Sequence, residues 1–153
     1  MEETRAGYIL SSDPSRLDVD AIHAFLTTTY WCPGIPKETV ARALRGSLNF
    51  GVYYNNQQVG LARVITDEAT FAYLCDVYVL PEHRGRGLGK WMMQGVMSHP
   101  SLQGLRRFHL VTRDAHGLYE EFGFKPISKP EGHMEIVRRD VYQRSSSEAA
   151  RET

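Results

Sequence analysis

The chain has little cysteine and no surplus charge: two Cys in 153 residues, and 18 Lys plus Arg against 18 Asp plus Glu, a formal net charge of zero. Cys32 and Cys75 are too few and too isolated for a disulfide framework or a CxxC metal site, and Cys75, set in an apolar run, reads as a core thiol. The six His share no ligand spacing of the HExxH kind, so no metal is expected. Balanced charge argues against a protein that coats nucleic acid or an anionic membrane. A helix-turn-helix signature and the interleaved aromatics of single-strand binders are also missing. Long hydrophobic runs are absent too: the longest uncharged stretch, Trp91 to Leu105, contains Gln94, Ser98, His99, Pro100 and Gln103 and cannot cross a bilayer. Met1 to Tyr8 holds two Glu and one Arg and lacks the apolar core of a secretory signal, which makes the cytoplasm the expected location.

One absence is local. Between Glu82 and Asp114 lie 31 residues without a carboxylate, and they carry Arg84, Arg86, Lys90, Arg106, Arg107 and Arg113. This segment is +6, so the remainder is −6, and a patch for one compact anion stays open.

What is present reads as one α/β domain of the α+β kind over residues 1–142, followed by a tail, 143–153, expected to be disordered because it lacks apolar periodicity. A chain of this length buries roughly 70% of its unfolded surface around a single core. Leu17, Val19, Ile22, Phe25 and Leu26 recur at helical spacing after Asp18, a candidate N-cap, and predict a helix ending near Thr28. Pro36, Val40, Ala43, Leu44 and the stop at Gly46 predict a second. From Leu48 the period becomes two, with Leu48, Phe50, Val52 and Tyr54 before the turn Asn55-Asn56. Val59 to Ile65 and Phe71 to Leu80 follow as antiparallel strands. Leu88, Met92 and Val96 mark a helix ending before Pro100, Phe108 to Thr112 a short strand, and Ala115, Leu118, Tyr119 and Phe122 a helix stopped by Gly123. Phe124 to Ile127 and Met134 to Val137 are expected as closing strands. The sum is a mixed, mostly antiparallel sheet of about six or seven strands flanked by about four helices.

The chemistry concentrates in Arg84-Gly85-Arg86-Gly87-Leu88-Gly89, between a strand and a helix, where free N–H groups and the positive helix end bind phosphate. A Walker loop fails, because Lys90 is followed by Trp91 rather than Ser or Thr. A Rossmann fingerprint is weak, because the glycines run GxGxG and no acid occurs before Asp114. The R-x-x-G-x-G pattern after Val79-Leu80-Pro81 instead resembles the acyl-CoA pyrophosphate loop of the GCN5-related N-acetyltransferase (GNAT) family. Leu118-Tyr119-Glu120-Glu121-Phe122-Gly123-Phe124 is similar to that family's LYxxxGF segment, in the same order and separation. The resemblance covers about residues 7 to 140, and Thr112 stands where many members carry Asn.

The resemblance implies acetyl-CoA as co-substrate and a direct attack by a primary amine of a small molecule, amino acid or peptide. It implies that Val77, Tyr78 and Val79 meet the pantetheine arm, that Arg84, Gly85, Arg86, Gly87, Leu88, Gly89 and Lys90 wrap the pyrophosphate, and that Thr112 and Leu118 complete the coenzyme site. Tyr119 matches the position whose phenol protonates the leaving thiolate; the other reading is a core aromatic. A lysine-like amine is neutral in only about one molecule in a few thousand at pH 7, so a base must help. Asp76 is the candidate, being a carboxylate inside an apolar strand, where alternation places it with Leu74 and Tyr78. The competing reading ties it to Arg63 or a helix end. Tyr30 and Trp31 put two aromatics on a loop and are candidates, with Arg63 and His133, to line the acceptor pocket. A coenzyme-binding sensor or interaction module without turnover is the alternative function, a homodimer is left open, and neither nucleic acid nor membrane is expected as a partner.

Overall fold

The computed structural model describes residues 1–143; the expected tail lies outside the described residues except for Gln143. One six-stranded sheet runs in chain order: β1 (Glu2–Arg5), β2 (Tyr8–Ser11), β3 (Leu48–Tyr54), β4 (Gln57–Thr66), β5 (Phe71–Val79) and β6 (Arg107–Leu110). All neighbours are antiparallel except β5 and β6, which run parallel. Helices α1 (Val19–Leu26) and α2 (Lys37–Arg45) follow β2, α3 (Leu88–Ser98) follows β5, and α4 (His116–Glu120) follows β6; a fifth begins at 141, at the edge of the described residues.

Local signals explain most boundaries. The Asp18 carboxylate accepts from the Ala21 N–H at 3.0 Å and starts α1, and α2 ends at Gly46, whose N–H donates to the carbonyls of Arg42 and Ala43 at φ −91° rather than in a left-handed cap. Asn55 and Asn56 both sit at positive φ, 49° and 63°, the backbone a tight two-residue hairpin needs. Helix α3 stops at Ser98, ahead of Pro100.

The sheet is covered on both faces. On one side Leu10, Phe50, Val52, Val64 and Leu74 pack with Trp91, Met92, Met93 and Val96 of α3 and Tyr119 of α4. On the other, Ile22 and Leu26 of α1 and Val40 and Leu44 of α2 pack with Leu61 and Tyr78. Each fully buried aliphatic or Phe side chain contributes roughly 1.5–3 kcal/mol. No helix among the described residues is long and apolar enough to cross a membrane.

Two expectations are corrected. Phe124–Ile127 and Met134–Val137 are not strands. Pro126 offers no N–H to a ladder, Phe124 packs edge-on to Phe108 with centroids 5.4 Å apart, and Met134 and Ile136 are 97% and 85% exposed, so their alternation has no core to face. The parity of β5 also breaks. Leu74 faces the α3 side, but Val77 and Val79 do too, while Tyr78 faces α1 and α2; Asp76 therefore does not share one face with both Leu74 and Tyr78. The switch occurs at Asp76, whose φ is +51°, where the register against β4 slips between Leu61 and Arg63. A bulge of this kind reverses which face each following residue meets.

Tyr53 presses its hydroxyl against Gly51, where no side chain would fit. That hydroxyl is buried without a partner, and burial pushes its pKa up to about 12. Because the folded value is raised, stability is full below pH 10 and is lost as pH climbs toward 12. Tyr53→Phe should therefore be neutral or stabilising by about 1 kcal/mol in urea denaturation at pH 7 and should flatten the loss between pH 10 and 12. Gly51→Ala should cost about 1–3 kcal/mol through overpacking.

Candidate active site

The site begins where the parallel pair ends. β5 and β6 are in register only from Phe71–Arg107 to Leu74–Leu110. Beyond that point Cys75 to Val79 continues without a strand on its β6 side, and the chain after Leu110 turns away through Val111 to Ala115. The opening is a cleft of about 930 Å³. One wall is Cys75 to Val79, the other is Leu110 to Ala115 with Leu118 and Tyr119, and Arg84 and Gly89 stand at the end toward the glycine loop.

The glycine loop at that end leaves backbone amides open at the start of α3. Gly85 and Gly87 both lie in the left-handed region, at φ 77° and 76°, which a side chain would oppose. The first α3 amide bonded back into the helix is that of Trp91, to the Gly87 carbonyl at 3.0 Å. The N–H groups of Leu88, Gly89 and Lys90 therefore lack intrahelical acceptors at the positive end of the helix. Leu88 offers only its backbone, since its side chain is buried in the core. Among the cations, Lys90 is paired with Glu121 at 3.0 Å, and Arg84 Nε donates to the Val79 carbonyl at 2.8 Å. Free amides, left-handed glycines and an adjoining deep cleft fit a coenzyme with a pyrophosphate and a long arm.

Asp76 is the most heavily engaged side chain of the site. Arg63 Nε donates to its Oδ2 at 2.7 Å, Trp31 Nε1 donates to its Oδ1 at 2.8 Å, and Arg63 also donates to Ser47 Oγ at 3.0 Å. The pair is mostly buried, with the Arg63 and Asp76 side chains 16% and 10% exposed. Arg63 backs Asp76 and does not line the cleft. Neighbouring Cys75 has its thiol pushed up to about 12 by burial, so it stays protonated at neutral pH.

Tyr119 is buried on α4, and its pKa is raised by burial, with Asp114 and Tyr30 adding to the effect. It lines both the cleft and a second cavity of about 430 Å³ on the outer side of β6. His133 belongs to that second cavity, where its ring stacks on His109 at 6.1 Å. Tyr30 and Trp31 do reach the cleft. Thr112 lines it too, while its Oγ1 accepts from the Ala115 N–H at 3.0 Å and so shapes the turn into α4. Tyr78 is stacked on Phe25 at 4.0 Å.

Sequence reasoning counted Arg113 only among the cations of the acid-free segment and missed its contact with Tyr30, whose ring centroid lies 3.8 Å from the guanidinium; that contact joins the two loops that line the cleft. Phe25, Thr28 and Tyr73 are further unforeseen lining residues. Nothing local marks such contacts, because they join segments far apart in the chain. Among the described residues no group of His, Cys, Asp or Glu is placed to hold a metal ion.

The buried pair yields a stability test. Asp76→Asn and Arg63→Met should each cost about 3–5 kcal/mol in urea denaturation, since each strands a buried charge or breaks its hydrogen bonds. The double variant should lose well under the sum of the two. Additive losses would mean that the ion pair is not what holds the bulge.

Comparison with known proteins agrees with this geometry. The family model of the acetyltransferase (GNAT) domain matches residues 46–126, from the start of β3 through the glycine loop and α4. A Gibberella zeae protein named as a candidate acetyltransferase is 39% identical over 153 aligned positions, 84% of this chain and 85% of its own. The [ribosomal protein bS18]-alanine N-acetyltransferase of Haemophilus influenzae is 28% identical over 104 positions, 65% of this chain and 64% of its own. Among solved structures, a candidate acetyltransferase of the GNAT family from Xanthomonas campestris pv. campestris superposes with a TM-score of 0.87 at 51% identity, covering 91% of this chain and 99% of its own. The cleft, the glycine loop and these matches together make this chain a member of the GNAT acetyltransferase family.

Proposed function

We propose that the protein transfers an acetyl group from acetyl-CoA to a primary amine of a small molecule, amino acid or peptide, both reactants being bound together. The observation that carries this reading is the parting of β5 from β6 directly beside the glycine loop, with Tyr119 in the wall of the opening. The name of the Haemophilus relative, an alanine N-acetyltransferase, supports an amine as the acceptor.

Bound acetyl-CoA would supply a thioester carbonyl to the amine. The chain's part is to hold and to move protons. The amides of Leu88 to Lys90, with Arg84 and Arg86, would hold the phosphates, and the open edge of Val77 to Val79 would align the arm and offer an N–H to the developing oxyanion. The Tyr119 hydroxyl, with its pKa raised above the ordinary tyrosine value, keeps its proton at neutral pH and can give it to the departing sulfur. Asp76 would act on the amine while held by Arg63 and Trp31. Each of its oxygens accepts one hydrogen bond and keeps a lone pair, with which Asp76 would accept from an amine N–H and orient the amine; the amine would lose its proton to bulk water before attacking in its neutral form. Tyr30 and Trp31, 55% and 43% exposed, would form the acceptor rim. A second reading, a coenzyme-binding module without turnover, draws on that same engagement of Asp76.

Thiol release from acetyl-CoA across a broad amine panel separates the two, with turnover expected for at least one acceptor and coenzyme binding without turnover favouring the module. Tyr119→Phe should lower kcat roughly 100-fold and remove an alkaline limb lying above pH 10. Calorimetric titration of acetyl-CoA into Gly87→Glu should show at least tenfold weaker binding, because the carboxylate adds strain at positive φ and repels phosphate.

A further inference from the structure

We propose that Arg5, on the first strand, is a phosphate contact for the coenzyme. The proposal rests on the reading of the glycine loop as the phosphate cradle. It extends that cradle to a part of the chain outside the residues matched by the family model, which begin at 46.

The fold brings Arg5 to the loop from a long way off in sequence. β1 pairs antiparallel with β2, with Arg5 opposite Tyr8, and the reversal between them uses positive φ at Ala6 and Gly7. The strand is anchored against α3, where the Trp91 indole N–H donates to Glu3 at 3.1 Å. Arg5 then lies over the Trp91 ring, its Cζ 5.8 Å from the ring centroid. Trp91 is one turn along from Gly87, and Arg5 Nη2 comes within 3.9 Å of where a Cβ on Gly87 would stand. The guanidinium is thus parked beside the open first turn of α3.

Charge makes this placement informative. Among the described residues no carboxylate lies within ion-pair distance of Arg5, whereas Lys90 is paired with Glu121 and Arg84 donates to a backbone carbonyl. Arg5 therefore stands at a positive helix end that also begins the loop carrying Arg84 and Arg86, with Glu3 committed to the Trp91 indole, an arrangement that becomes more favourable when an anion arrives. Its place over the Trp91 ring, 5.8 Å from the centroid, leaves the planar fork of Arg5 free to donate, and such a fork matches phosphate oxygens better than an ammonium does. The phosphate could be the pyrophosphate or the 3′-phosphate of the coenzyme; the shared chemistry is a phosphate oxygen accepting from the guanidinium.

The test is calorimetric titration of the full chain with coenzyme A and with 3′-dephospho-coenzyme A, using wild type, Arg5→Gln, Arg5→Lys and, as a reference inside the loop, Gly87→Glu. Arg5→Gln should bind coenzyme A roughly 5- to 30-fold more weakly, with a shallower salt dependence and an unchanged unfolding midpoint, and Arg5→Lys should fall between it and wild type. Weakening with both ligands assigns the contact to the pyrophosphate, and weakening with coenzyme A alone assigns it to the 3′-phosphate. Wild-type affinity in Arg5→Gln alongside weak binding by Gly87→Glu overturns the role of Arg5 and leaves the loop reading intact. Equal losses in both Arg5 variants with a lowered midpoint mean packing on Trp91 and also overturn it. Absence of binding by wild type removes the loop reading, and this proposal with it.

Discussion

The ion pair between Arg63 and Asp76 is what the rest of the site depends on. A non-glycine residue at φ +51° costs on the order of 1–3 kcal/mol, and Asp tolerates it better than most. Here the strain is offset by two charge-assisted hydrogen bonds, from Arg63 and Trp31, each contributing roughly 1.5–3 kcal/mol. Once Asp76 is held, β5 slips its register against β4, Val77 and Val79 turn to the α3 side and Tyr78 to the α1 side. The strand can then run past the end of β6 with one edge open. The cleft between β5 and the chain after β6 is the direct consequence of that parting.

Charge distribution follows the same economy of placement. The acid-free segment from His83 to Arg113 carries six cations, but the fold does not gather them in one patch. Lys90 is neutralised by Glu121, Arg113 rests on Tyr30, and Arg107 faces the second cavity on the far side of β6. Arg84 and Arg86 remain at the loop, and Arg5 joins them from outside the segment. Two links tie the loop between α1 and α2 to the cleft: Trp31 to Asp76 in one wall and Tyr30 to Arg113 in the other. The loop carrying Tyr30 and Trp31 is therefore coupled to both strands that part.

Much of the fold was legible because its signals are local. A carboxylate three residues before a free amide, as at Asp18, caps a helix wherever it occurs, and Asn55-Asn56 makes a hairpin because those residues accept the left-handed region. The backbone of the glycine loop was legible for the same reason, since Gly85 and Gly87 occupy the left-handed region that glycine favours. The closing strands were misread because alternation of apolar residues forms a strand only when there is an edge to pair with and a core to face. Met134 and Ile136 have no core beneath them. The parity of β5 was misread because strict alternation assumes a regular strand, and the bulge at Asp76 is enforced by Arg63 on a neighbouring strand.

What the sequence determined by itself was the run of elements from α1 to α4, the caps and turns, and the position of the glycine loop, all of which are set by interactions within a few residues; the β1–β2 hairpin lay outside that reading. Only the tertiary structure decided how far β5 and β6 stay together, which face each residue beyond Asp76 meets, and which cations reach the loop. Those outcomes turn on pairings such as Arg63 with Asp76, Trp31 with Asp76, Tyr30 with Arg113 and Arg5 with Trp91. The partners lie 13 to 86 residues apart by their numbers, and no local pattern encodes them; packing of the two helical layers on the sheet brings them within reach.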